Sequence, residues 1–352
     1  MSGSDVGSRD LPEGPPRASP PLPPALDEPT VRATSVRPGR RERLAGALQR
    51  NVSLGLLVLV ALAATLAFPD FASRANLSNV AIQNALLALV AVGMTFVIIS
   101  GGIDLSVGSV FALGGVLAGL GSAWGPVVAL LLPLLVGLAI GAFQGLLIGR
   151  ARMAPFIVTL AGLLFARGAA LAISDQLPMP IQGEAARMVG QSGVAGLAYP
   201  VFIALAVVGS GAVVLNRTRY GQSLFAIGGS EEAARLMGLT VWRSKLIAYA
   251  TTGALSALAG ALLASRLGSG LPTAAQGMEL NAIAAVVIGG TLLTGGAGTM
   301  SGTLAGVLLL GIIQNLINQV GNLGSYTQQV VSGAFLLVVV VVQRYLTREQ
   351  RL

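Results

Sequence analysis

The residues with the most chemistry to offer lie in one run, Gly101-Gly102-Ile103-Asp104-Leu105-Ser106-Val107-Gly108-Ser109. It places a carboxylate, hydroxyls and glycines between two long apolar segments. Hydrocarbon solvates a carboxylate poorly, so Asp104 must be buried in protein, face a water-filled cavity or sit near an interface. Glycine lets a backbone break or another backbone come close. A broken helix with a polar site at the break is therefore expected. Two compatible roles suit Asp104. With Ser106 it can satisfy the free amides that open the next helix, or it can line or gate a path for a polar substrate. Span placement puts the run near one membrane surface, where water is expected to reach it. Arg167 is the other ionisable side chain within an apolar span. At about 14 residues, or roughly 21 Å, from the start of that span, it is expected to snorkel to the outer surface. Pairing with Asp175 and a substrate contact at the outer mouth are the alternatives. Cys and His are both absent, which excludes disulfides, thiolate or imidazole metal sites and Cys/His nucleophiles.

Positioning these groups requires a membrane bundle. A chain of 352 residues that is 54% hydrophobic and only 10% charged, with mean hydropathy +0.78, is not a soluble globular protein. Apolar stretches of spanning length predict about ten crossings, at 50–69, 77–100, 104–121, 125–149, 153–173, 198–215, 246–268, 280–297, 300–319 and 326–343. Basic residues orient them. Arg37, Arg40, Arg41, Arg43 and Arg50, then Arg150 and Arg152, then Arg217, Arg219, Arg235, Arg243 and Lys245, and finally Arg344, Arg348 and Arg351 fall on the inner side. Both termini are then inside. Loops 70–76, 174–197, 269–279 and 320–325 fall outside. The fold class expected is an all-α polytopic membrane protein with broken helices. Residues 1–45 read as a disordered Pro/Arg-rich cytoplasmic tail, residues 46–345 as the transmembrane domain, and 346–352 as a short cytoplasmic tail.

Gly137, Gly141, Gly145 and Gly149 recur every fourth residue, giving a smooth helix face that a neighbouring backbone can approach. Gly115/Gly119 and Gly302/Gly306 carry the same expectation. The Gly101 run has a weak echo in Gly289-Gly290-x-x-Leu293-Thr294-x-Gly296-Ala297. Chance similarity and an internal repeat explain that echo equally well. Residues 216–245 form the longest internal polar segment. In it Ser230 can cap a short helix made of Glu231, Glu232, Ala233 and Ala234, and Gly238 would end it. Such a helix suits a groove on a partner; a surface helix with no partner is the alternative. A second copy of the pattern, Glu184 to Gly190, is separated from it by one crossing, so only one can be cytoplasmic. The flanking basic residues select the second.

The Gly101–Ser109 run, the Glu231–Leu239 loop and the segment from Gly289-Gly290-Thr291 through Gly302-Thr303-Leu304-Ala305-Gly306 resemble the permease subunits of monosaccharide ABC importers of the ribose/xylose/arabinose type. The likeness extends over about residues 50–345. It implies a type II importer bundle passing a pentose, hexose or related polyol inward. It also implies a second permease copy (a homodimer or pseudo-dimer), a cytoplasmic ABC ATPase subunit or tandem ATPase, and an extracytoplasmic sugar-binding protein. Glu231, Glu232, Ala233, Ala234 and Gly238 would then form the ATPase-coupling helix. No phosphate-binding loop with its Lys is present: Gly295-Gly296-Ala297-Gly298-Thr299 lacks it. ATP and Mg belong to the partner, and this chain is expected to bind no cofactor and no metal and to be no enzyme. It is placed in the bacterial plasma (inner) membrane, with the lipid bilayer and not nucleic acid as its surroundings. A sugar path wants amides, hydroxyls and a carboxylate between apolar walls, and the candidates are Gln83, Asn84, Asp104, Ser106, Asn281, Gln314, Asn315 and Asn318. Each lone amide could equally be an interhelical hydrogen bond. Permeases for nucleosides or branched-chain amino acids are the nearer alternative; an ion-coupled secondary transporter is the distant one.

Overall fold

The computed structural model describes residues 40–194 and 196–319, together with helical positions 330, 333, 334 and 337. Twelve α-helices carry the chain among the described residues: α1 (Arg40–Ala67), α2 (Arg74–Ile99), α3 (Val107–Gly121), α4 (Pro126–Gly149), α5 (Pro155–Ile173), α6 (Glu184–Gln191), α7 (Tyr199–Arg217), α8 (Arg219–Gly229), α9 (Glu231–Leu236), α10 (Val241–Leu267), α11 (Met278–Ile288) and α12 (Met300–Gln319). Seven of them are long and apolar enough to cross a membrane: α2, α3 with its 3-10 extension to Trp124, α4, α5, α7, α10 and α12. Two shorter apolar helices, within α1 and at α11, add to these. The expected tail 1–45 lies largely, and the tail 346–352 entirely, outside the described residues. Apart from the four isolated positions, so does the tenth expected crossing at 326–343.

The most apolar helices divide by what surrounds them. In the 18-residue apolar window of α2, 94% of the residues are buried, against 22% in those of α4 and α5. A helix apolar all round belongs inside a bundle when other helices enclose it, and at the lipid face when they do not. α2 is thus a central post, started by Ser73, whose Oγ accepts the amide of Asn76 at 3.3 Å. Its neighbours include α7, α10, α11 and α12.

The Gly137–Gly149 stripe does what its spacing predicts. Its four glycines lie against Gly253, Tyr249, Leu246 and Trp242 of α10, with no room at any of them for a Cβ. Gly302 and Gly306 of α12 meet Gly289 and Ala285 in the same way, and Gly115 of α3 faces Gly260. Without a hydrophobic drive between helices in lipid, this close backbone packing is what holds such a bundle together.

Two elements depart from the sequence expectation. The eighth crossing is not a helix over 280–297. α11 has only 11 residues, about 16 Å or half a bilayer, and irregular backbone follows, with Gly290, Gly295 and Gly296 at positive φ. Five glycines in Gly289–Gly298 make helix too unfavourable there. The third helix likewise begins at Val107 rather than 104. Nor is 269–279 simply an outer loop. Gly268, left-handed at φ 76°, ends α10, and Ser269–Gly270 (strand β2) pairs antiparallel with Met179–Pro180 (strand β1). The chain then doubles back along α3: Gly270 packs on Gly115, and the Ala275 carbonyl reaches Gly108. Both α3 and α11 therefore start inside the bundle.

Candidate functional site

The break between α2 and α3 is built around Asp104. Its Oδ1 accepts the amide of Ser106 at 2.9 Å and the Ser106 hydroxyl at 2.6 Å. Ser106 is in turn joined to Gln144 of α4, whose Nε2 donates to Ser106 Oγ at 3.1 Å. The Tyr249 hydroxyl donates to the Ile103 carbonyl at 3.3 Å. Asp104 thus anchors the turn before α3 rather than capping its first amides, and Ser106 makes no capping bond of its own. The side chain is 1% exposed, and its Oδ2 has no partner among the described residues. The expectation that water reaches it fails for a geometric reason. Tyr249 is eight residues into α10 and covers Gly102, so the break folds back about 12 Å into the bundle instead of staying at its edge.

Gln144 was not among the sequence candidates. It also lines a groove of about 500 Å³ between α4 and α5, walled otherwise by apolar and glycine residues such as Phe143, Ile157, Gly162 and Phe165. Its signal was available in the sequence: a lone amide within the glycine stripe, between Gly141 and Gly145.

The remaining polar candidates do not gather around Asp104. Asn84 is buried, donates to the Val80 carbonyl at 2.7 Å and sits on Gly311 of α12. Asn315 exchanges amide hydrogen bonds with Asn76 of α2, at 3.0 and 2.7 Å. Both therefore tie α2 to α12. Gln83 and Asn318 are exposed, while Gln314 and Asn281 are half-buried. Arg167 does not snorkel outward or reach Asp175. Its Nη1 donates to the carbonyls of Pro272 and Ala274, at 2.7 and 3.0 Å, which satisfies backbone of the segment that doubles back.

At the other end of α10 stands the polar loop. Thr218 caps α8, accepting the Gly221 amide at 3.2 Å, and Ser230 caps α9, accepting the Ala233 amide at 3.2 Å. Gly238, at φ 80°, ends the arm. Glu231 bonds Arg235 and also Lys245 of α10, the latter at 2.5 Å. Ala234 is fully buried with Ile227 and Val241. These two residues hold the arm to the bundle. Glu232, Ala233 and Gly238 are the outward members of the expected set. They are joined by Leu236 and Met237, 85% and 68% exposed, which lie within the expected arm but were not singled out in it. The first copy of the pattern forms α6 at the opposite end of α10, where Gly190 packs on Arg266 and Gln191 donates to its carbonyl at 3.1 Å.

One contact links arm and break. Gly228, near the end of α8, lies against the Ile99 carbonyl and the Gly296 amide. That amide donates to Ile99 O at 2.9 Å. The Gly101 run and its echo therefore pack together, with the base of the arm between them.

Comparison with known proteins agrees with this architecture. Residues 76–340 match the family described as "Branched-chain amino acid transport system / permease component". The chain is 42% identical to the ribose import permease protein RbsC of Bacillus subtilis (strain 168), over 83% of this chain and 91% of that one. It is 42% identical to the inner membrane ABC transporter permease protein YjfF of Escherichia coli (strain K12), over 84% and 92%. The L-arabinose transport system permease protein AraH of the same organism is 37% identical, again over 84% and 92%. No solved structure matches the chain.

Proposed function

Because the chain belongs to this family of ABC-transporter permeases, matched over residues 76–340, we propose that it passes a monosaccharide into the cell as the membrane subunit of an ATP-driven importer. The observation that carries the reading is its likeness to ribose and arabinose permeases along nearly their whole length. It is a multi-pass protein of the inner membrane and not an enzyme; ATP hydrolysis belongs to a separate ATPase subunit. ATP and Mg would bind only there. A sugar-binding protein would deliver the cargo at the outer face, and a second permease copy would complete the path. Ten crossings with both termini inside suit the basic residues around α8–α10.

Two parts of the described structure support this division of labour. Leu236 and Met237 form an apolar tip at the end of a capped helix, suited to an ATPase groove, with Glu232 and Gly238 beside them. In the path, Asp104 and Ser106 hold the α3 break, and Gln144 presents an amide to the α4–α5 groove. Asn281, Gln83, Gln314 and Asn318 are the remaining candidates for hydroxyl contacts, while Asn84 and Asn315 serve the α2–α12 seam.

The test is reconstitution in proteoliposomes with the ATPase and the binding protein. Labelled ribose, arabinose and xylose are offered alongside a nucleoside and leucine. ATP-dependent uptake of a sugar is expected. Uptake of only leucine or the nucleoside would move the chain to the other cargo class, and gradient-driven uptake without the ATPase would overturn the importer reading.

A further inference from the structure

The segment that doubles back after α10 brings two charged side chains together partway along the spanning helices. Arg167 is about 12 residues, roughly 18 Å, along α5 from Pro155. Glu279, in the first turn of α11, stands six residues before Ala285, which packs on Gly306 of α12. Gly306 is itself six residues into α12. Glu279 is therefore also about 18 Å from that helix's start. The Glu279 carboxylate hangs over Gly108 at the beginning of α3 and lies close enough to act on the charge of Arg167.

Neither group is saturated. Arg167 uses only Nη1, for two carbonyls, so its Nε and Nη2 edge is unused among the described residues. The Glu279 carboxylate accepts no hydrogen bond among the described residues. Both side chains are half-buried, and the polar Thr273 and Gln276 beside them are exposed. Half-exposed charges with spare hydrogen-bonding capacity partway along a span are costly against acyl chains, and such side chains face a bundle interior or a water-filled cavity. Irregular backbone, which here runs from 269 to 277, is tolerated at membrane depth only when buried in protein or lining such a cavity.

We propose that Glu279, the free edge of Arg167 and the Gln276 amide form a hydroxyl-binding constriction in the translocation path, taking the ring hydroxyls of a neutral monosaccharide. This rests on the importer reading above. A carboxylate accepts from hydroxyl pairs, a guanidinium donates to their oxygens, and an amide does both. The opposite charges on the two side chains hold the cargo without favouring an ion. That is what separates this site from an ion relay.

The natural absence of cysteine makes the test direct. Gln276→Cys and Glu279→Cys are introduced singly, with fully buried Ala282→Cys as control, and the complete importer is reconstituted. A charged, membrane-impermeant thiol reagent should modify positions 276 and 279 at least tenfold faster than 282. Saturating transported sugar with its binding protein should slow that modification at least threefold. Glu279→Ala should reduce sugar uptake at least tenfold, with Glu279→Asp retaining more. Modification of Glu279→Cys by an uncharged reagent alone would place this face against lipid or a second copy and overturn the proposal. So would rapid labelling without sugar protection combined with wild-type uptake by Glu279→Ala. If the wild-type importer moves no monosaccharide, the functional reading falls and the sugar site with it, whereas labelling by the charged reagent still reports whether the constriction faces water.

Discussion

Asp104 Oδ1 carries two hydrogen bonds from a single residue, the amide and the hydroxyl of Ser106, while Oδ2 carries none. The two oxygens therefore differ in what substitution does to them. Asp104→Ala strands a buried amide, at a cost of about 1–3 kcal/mol. Asp104→Asn keeps the accepting oxygen and gives up less. Thermal unfolding in detergent should rank wild type above Asn and Asn above Ala; equal melting of the two variants would show that the Ser106 bonds do not hold the break. At this scale the sequence was informative about residue type and weak about partners. A carboxylate beside glycines announced a broken helix. Gln144 went unnoticed because a lone amide on a glycine stripe carries no local sign of what it faces. Glu279 was missed because the expected span began at residue 280, one residue beyond it, so it fell in a supposed outer loop. Arg167 was recognised, but its bonds to Pro272 and Ala274 cross 105 and 107 positions of sequence, beyond the reach of any local pattern.

Helices show the complementary balance. The stripe on α4 was readable because a four-residue interval maps directly onto one helix face, and the surface it meets on α10 is built to match. Gly141→Val should therefore disrupt the α4–α10 interface by overpacking, worth 1–3 kcal/mol or about that, and lower both membrane yield and melting temperature. Gly209→Ala on α7, where a Cβ meets nothing within 4 Å, should leave both unchanged. The arm formed by α8 and α9 separates two kinds of residue in the same way. Leu236→Asp with Met237→Asp should weaken ATPase docking at least tenfold in pull-down titrations while the permease still inserts and melts normally. Ala234→Asp, buried at the arm's root, should damage folding instead. Helix caps and ends at Ser230 and Gly238 were visible in the sequence, since they are local. The shortening of α11 to half a span was not. Hydropathy counts apolar residues and is blind to glycine's conformational freedom.

For the whole molecule, the decisive arrangement is the meeting of three distant segments at Ile99–Gly101, Gly228 and Gly295–Gly296. Gly228→Ala, which places a Cβ into the Ile99 carbonyl, should lower sugar uptake and thermal stability together. Gly229→Ala next to it meets nothing within 4 Å and should spare both; parallel uptake and melting measurements check the pair. The likeness between the Gly101 run and the Gly289 run was legible as a weak echo, yet its meaning was not. The two runs are alike at the place where they pack on each other. Class followed from composition, because that is a summed property. Which irregular stretches share a neighbourhood is a property of the folded chain alone.

That meeting place has a mechanical consequence. Side chains between moving parts act as soft padding: they change rotamer and absorb small displacements before the next element feels them. Where Gly228 meets Ile99 and Gly296 there is no such padding, only peptide against peptide. A displacement of Gly228 is therefore expected to be felt at Ile99 and at Gly296 together. Under the importer reading, a small stroke of the arm is then expected to reach both helix breaks in step.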